Sequence, residues 1–206
     1  MRKKSPSAAP PAASIQCLEE TDMQDASLGE LNRRFLDLSC YRADLGGRLA
    51  QLSAAQRAAV ADCPYALFDL RFHDEAHWQL RLAERGLWHV ADRPQIDGEL
   101  VEFVRLALFY AWYIASTARA SALLVLGMPE RTAAAFARST MSRLTDLGLT
   151  ESGHLSARWS HCEGYWSALA TAASRPDTTQ LRRVQLSGIQ LAAAAQLPLR
   201  PKPREV

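Results

Sequence analysis

Lysine is nearly missing from this chain: 3 Lys stand against 21 Arg. β-Branched aliphatics are scarce too, with 7 Val and 4 Ile against 35 Ala and 29 Leu. That balance excludes a sheet-rich fold, because Ala and Leu favour helix while Val and Ile favour strands. The four cysteines are Cys17, Cys40, Cys63 and Cys162. No two are close enough for a CxxC pair, which argues against a disulfide framework or a zinc ribbon and leaves free, buried thiols as the expectation. No Gly-rich phosphate loop and no complete catalytic signature occur, so an enzyme is not expected. The net charge is only +2, too small for the whole surface to draw the protein onto nucleic acid or membrane. The uncharged run LALFYAWYIA, Leu106 to Ala115, lies between Arg105 and Arg119. It falls short of the roughly 20 apolar residues of a membrane span and reads as a buried helix. The opening MRKKSPSAAPPAAS is interrupted by Pro10, Pro11 and Ser14, which breaks the apolar run of a secretory signal. A cytoplasmic protein without a membrane partner is expected.

What is present suits an all-α protein: 206 residues, 48% hydrophobic and 22% charged, enough for a core without disulfide help. The expected organisation is a disordered tail over 1–26, a helical extension over 27–97, a second helical unit over 98–196 and a frayed tail over 197–206. Leu28, Leu31, Phe35, Leu38, Leu45, Leu49 and Leu52 fall at helical spacing, with Gly46 and Gly47 weakening the middle. Ser53 can cap a short helix that must end before Pro64. The stretch from Leu67 to His73 fits a short extended piece or a helix extension equally well. A helix from Glu75 to Arg85 ends at Gly86, and a linker follows up to a boundary near Asp97. One long central helix is expected from about Glu99 to Leu126, with Leu100, Val104, Leu108, Ala111, Ala115, Ala118, Ala122 and Val125 as its stripe. Between Leu106 and Ala115 its other faces are apolar too, so a subunit partner is a reasonable cover. Leu108, Ala111, Trp112, Ala115, Ala118 and Ala122 are the candidate oligomer interface. Gly127 ends this helix and Pro129 starts the next. Short helices over 129–137 and 139–147 follow, then one capped by Ser160 that runs to Ser174, and a last one over about 178–196.

His73 and His77, in HDEAH, share a helix face as metal pairs do, but the order is not HExxH and no third ligand is evident. They read as a solvated polar face. His154, His161 and Cys162, in HLSARWSHC, lack a clear fourth ligand and read as structural. No metal or cofactor is expected. The segment LGMPERTAAAFARSTMSRLTDLG carries more: two short helices joined at Arg138-Ser139 make a helix-turn-helix-like unit. The second would present Arg138, Ser139, Thr140, Ser142 and Arg143 at its start, where such a helix meets a major groove. From Glu99 onward the chain holds 12 Arg+Lys and 8 Asp+Glu, net +4, whereas the first 98 residues carry 12 and 14, net −2.

ARASALLVLGM at Ala118 to Met128, the following PERTAAAFA, the Ser-rich step into MSRLTDL, Ala157-Arg158-Trp159, and Leu181-Arg182-Arg183-Val184 with Ser187-Gly188-Ile189 together resemble the FlhD family. Its members are subunits of the bacterial flagellar transcriptional activator. The resemblance covers about Glu99 to Ala195. Leu155 stands near the place of the family's intersubunit cysteine, so that disulfide would be missing here. The resemblance implies a helical homodimer or larger oligomer that joins a second, FlhC-like subunit and activates flagellar genes with RNA polymerase as a further partner. It also implies that the partner carries the zinc and much of the sequence-specific DNA contact. Arg119, Arg131, Arg138, Arg143 and Arg158 are then the candidate DNA-facing or partner-facing arginines. The expected fold is an all-α, multi-helix orthogonal bundle with a long central helix. The alternative function is a helical adaptor or secretion chaperone that binds proteins only.

Overall fold

The computed structural model describes residues 12–42, 45, 47–83, 97–175 and 177–194, with side chains from Ser27 onward except at 47 and 48. Nine α-helices occur among them: α1 (Ala12–Tyr41), α2 (Ala54–Ala61), α3 (Glu75–Ala83), α4 (Gly98–Thr117), α5 (Arg119–Leu126), α6 (Glu130–Ala137), α7 (Met141–Thr150), α8 (Glu163–Ala173) and α9 (Thr178–Ala194). The protein is an all-α multi-helix bundle, as its Ala/Leu excess requires. One two-residue ribbon interrupts it: β1 (Phe68–Asp69) pairs antiparallel with β2 (Ser156–Ala157), Phe68 opposite Ala157. Phe68 and Asp69 are thus extended rather than helical, and a turn with Arg71 at a φ of +57° follows before α3. The expected Gly86 cap, the linker over 84–96 and the end residues 1–11 and 195–206 lie outside the described residues.

α1 begins at Ala12, inside the stretch expected to be a tail, and its stripe Leu28, Leu31, Phe35 and Leu38 is buried. Between them sits Asn32, fully buried. Its Nδ2 donates to the carbonyls of Ala61 and Tyr65 at 3.1 and 3.0 Å, and its Oδ1 accepts from the Leu67 amide at 2.8 Å. One side chain thereby satisfies the backbone of the turn that leads into β1, which would otherwise carry unpaired polar groups into the core. α2 opens with a capping box: Ser53 Oγ accepts from the Gln56 amide, and Gln56 Oε1 accepts from the Ser53 amide at 2.8 Å.

α4 is the centre, packed against α1, α5, α6 and α7. The expected single helix over 99–126 is broken at Ala118, whose φ of −137° and ψ of 52° are not helical. Thr117 Oγ1 donates to the Tyr113 carbonyl at 2.8 Å just before the break, a local bond that competes with helix continuation. The break lets α5 fold back to pack on α6 and α9. A second correction concerns the candidate oligomer interface. Leu108, Ala111, Ala115 and Ala122 have no exposed surface: α4 packs against α1, α5, α6 and α7 of the same chain, and α5, which carries Ala122, against α4, α6 and α9. Only Trp112 and Ala118 of that set remain half-exposed. α4 has the length and composition of a membrane span, yet more than half of its apolar stretch is buried inside the fold.

The segments before and after Asp97 share one core, which runs from Leu28 to Leu181. Phe35, Phe68 and Phe103 join α1, β1 and α4 at ring separations of 5.2 to 6.2 Å. Phe72, Trp78 and Phe136 join the turn after β1, α3 and α6, with Trp78 and Phe136 4.8 Å apart. Aromatic pairs at such separations add to the burial of their area.

Candidate functional site

α6 and α7 both rest on α4 and are joined by Arg138, Ser139 and Thr140. Amphipathic spacing fixes their inner faces: Thr132, Ala133 and Phe136 of α6, and Leu144, Leu147 and Gly148 of α7, are buried. Thr140 caps α7 as expected for its residue type, in extended backbone with its side chain accepting from the Arg143 amide. Ser139 Oγ donates to the Ala135 carbonyl at 3.0 Å and so tightens the turn instead of reaching outward. Arg131 and Arg138 lie seven residues apart, two turns of one helix, and both are exposed. Thr140, Met141 and Ser142 continue that exposed surface into the first turn of α7. Arg119 is exposed as well and pairs with Glu130 at 3.5 Å.

Two of the candidate arginines have other work. Arg158 is only 5% exposed, so it is not a DNA-facing side chain. Its Nη1 donates to the Val125 carbonyl at 2.8 Å and to that of Leu124 at 3.3 Å, closing the last turn of α5 where the helix leaves carbonyls unpaired. Burial lowers its affinity for a proton to about 10, and the guanidinium stays charged at neutral pH. Arg143 Nε donates to the Arg81 carbonyl at 3.1 Å, which turns it toward α3.

Gly127 and Arg158 meet in space, whereas Gly188 packs on Tyr65 from the first half of the chain. Gly127 ends α5 with a φ of +71°, a conformation that only glycine adopts readily, and Arg158 Nη2 would stand 3.1 Å from a Cβ placed there. The ring of Trp159 sits 4.5 Å from the Arg158 guanidinium. Gly188 of α9 leaves room for the Tyr65 hydroxyl, which donates to the Gln185 carbonyl at 2.8 Å and lies 2.8 Å from Tyr165 Oη.

The structure re-sorts the histidines. His73 and His77 were expected to share a face, and His154, His161 and Cys162 to form a cluster. Instead His73 and His161 line an open cleft of about 860 Å³ beside Asp69, Glu130, Arg158 and Trp159. His77 and His154 meet on the opposite partners, 5.3 Å apart between ring centres. Between them stands Glu151, the C-cap of α7, with its side chain 1% exposed. Its Oε1 accepts from Arg81 Nε at 2.6 Å, while its Oε2 lies 2.8 Å from His77 Nε2 and 3.9 Å from His154 Nε2. α3 supplies His77 and Arg81 from one face, four residues apart. The turn Ser152–His154 after α7 supplies His154.

No known protein family, curated protein sequence or solved structure matches this chain.

Glu151, Arg81 and Asn32 were all missed in the sequence. Glu151 and His154 form an E-x-x-H spacing that is readable in retrospect. Nothing local marks Arg81, whose partner is 70 residues away. Asn32 looks like any polar residue on an amphipathic helix until its backbone partners, the carbonyls of Ala61, Cys63 and Tyr65 and the amide of Leu67, are known.

Proposed function

We propose that this chain is a DNA-associated transcriptional regulator of the FlhD type. The observation that carries the reading is the exposed Arg131/Arg138 face of α6, which runs on into the exposed first turn of α7 with Thr140 and Ser142. Helix N-termini attract phosphate through their free amides and dipole, and arginine forks bind phosphate oxygens bidentately. α4 serves as the rigid support on which both helices are mounted, as a helix-turn-helix needs. Ser139 contributes the turn and Arg158 the end of α5, so the contact surface reduces to Arg119, Arg131, Arg138, Thr140 and Ser142. Arg143 is engaged by the Arg81 carbonyl of α3.

So few cations give weak, salt-sensitive binding by one chain. An FlhC-like subunit and self-association would supply the rest of the footprint, with RNA polymerase recruited by the assembly at flagellar promoters in the cytoplasm. Phe109, Trp112 and Tyr113, half-buried on α4, are the part of that helix left for a subunit contact. The test is fluorescence anisotropy with duplexes from the flagellar promoter regions of the source genome. The chain would be titrated alone and with a co-expressed FlhC-like subunit over a salt series. Binding that weakens steeply as salt rises is expected, because phosphate contacts release counterions. Binding indifferent to salt, or none with either preparation, would remove the DNA role.

A further inference from the structure

We propose that His77, Glu151 and His154 form a binding site for a zinc-class divalent cation that ties α3 to the end of α7. Three kinds of observation converge on it. The first is donor chemistry. Two imidazole nitrogens and one carboxylate oxygen, all within 4.8 Å of one another, are the set that zinc takes with a fourth position left for water. The second is the placement of the carboxylate. Glu151 is buried, so it cannot be one of the solvated surface acids that cluster by chance. Its two oxygens are already divided. Arg81 Nε holds Oε1 at 2.6 Å and Thr150 Oγ1 is 3.4 Å from the same atom, which leaves Oε2 pointed at both histidines. A ligand carboxylate oriented through its other oxygen is the usual outer-shell arrangement of zinc sites.

The third is geometry. Ligand atoms on a tetrahedral zinc stand about 3.3 Å apart. The Oε2 of Glu151 is 2.8 Å from His77 Nε2 and 3.9 Å from His154 Nε2, one contact slightly short of that edge and the other slightly long. The side chain of His154 is 40% exposed, free to swing inward and close the set, while that of His77 is 15% exposed and fixed on its helix. The His154 side keeps the fourth position open to solvent. The backbone that carries His154 is tied to Glu151, because the His154 amide donates to the Glu151 carbonyl at 2.9 Å. Binding requires His77 to exchange its contact with Oε2 for the cation and to present an unprotonated Nε2.

The experiment uses the full chain, stripped with a chelator and titrated with zinc against a chromogenic competitor. One equivalent should bind with micromolar or tighter affinity. His154→Ala should weaken it about tenfold or more, and His77→Gln should do the same, while His73→Ala and His161→Ala leave it unchanged. His154 sits near the surface, so its variant is expected to fold, and its circular dichroism melt checks that. Cobalt in place of zinc should give visible d–d bands without thiolate charge-transfer absorption, since no cysteine belongs to the set. That spectrum is read on the unmutated chain. Absence of one-to-one binding, retention of full affinity in folded His154→Ala, or a thiolate band would each overturn the proposal.

Discussion

Arg81 holds α7 at both ends: its Nε lies 2.6 Å from Glu151 Oε1, and its carbonyl accepts from Arg143 Nε at 3.1 Å. The helix that offers its first turn to solvent is thereby clamped by α3 from the other half of the sequence. Removing one partner of a buried pair leaves the other charge desolvated and uncompensated. Glu151→Ala should therefore destabilise the fold by about 3–5 kcal/mol, read as a lower urea midpoint in the metal-free protein. A loss of about 1 kcal/mol or less, the range of an exposed pair, would contradict the clamp.

Gly188 and Tyr65 give a second prediction. A Cβ at position 188 would overlap the Tyr65 hydroxyl and ring edge. Tyr65 is fixed by its bonds to the Gln185 carbonyl and Tyr165, so it cannot swing away cheaply. Gly188→Ala should cost about 1–3 kcal/mol, as overpacking does, and near-ultraviolet circular dichroism should show the tyrosine pair disturbed. A variant with unchanged stability would show that α9 can slide outward at no cost.

How much of this was legible follows from which signals are local. Most of the helices, the Ser53 cap, the stop at Gly127 and the α6–turn–α7 pair were readable, because amphipathic period and capping act within a few residues; the expected Ser160 cap is not formed, since Ser160 lies in a turn and α8 starts after Cys162 with no side-chain cap. The break at Ala118 was not, since Ala is the best helix former and the competing Thr117 hydrogen bond carries no strong pattern. Period shows that the apolar faces of α4 are covered but not by what: Leu108, Ala111 and Ala115, expected at a subunit contact, are buried within the chain itself. The histidine pairings failed for the same reason. His77 and His154 are 77 positions apart and meet only through the fold, which brings α3, packed on α6, to Glu151 at the end of α7. Arg158 looked like a free cation because no sequence signal separates an arginine that caps a helix from one that faces solvent.

Burial of Cys63, Tyr65 and Tyr165 gives a third prediction, for alkaline pH. Desolvation pushes the Cys63 thiol up to about 12 from an ordinary 9.0, and raises both phenols above their ordinary 10.0. Each group holds its proton more firmly in the folded state. The stability this contributes is complete below pH 9 and is lost as pH rises toward 12. Urea midpoints should fall progressively across that range. At about pH 8, alkylation should reach Cys40 and Cys162, both half-buried, well before Cys63. Equal alkylation rates would contradict the burial of Cys63.

The arginines themselves provide the most direct test of the DNA-associated reading. The dependence of log K on log salt should be measured for the chain with its FlhC-like partner and compared with Arg131→Ala, Arg138→Ala and Arg158→Met. Losing a phosphate contact lowers the slope by about 1. Arg131→Ala and Arg138→Ala should each show that reduction, and Arg158→Met an unchanged slope with lowered stability. Unchanged slopes for both exposed arginines, or a reduced slope for folded Arg158→Met, would contradict the DNA-associated reading.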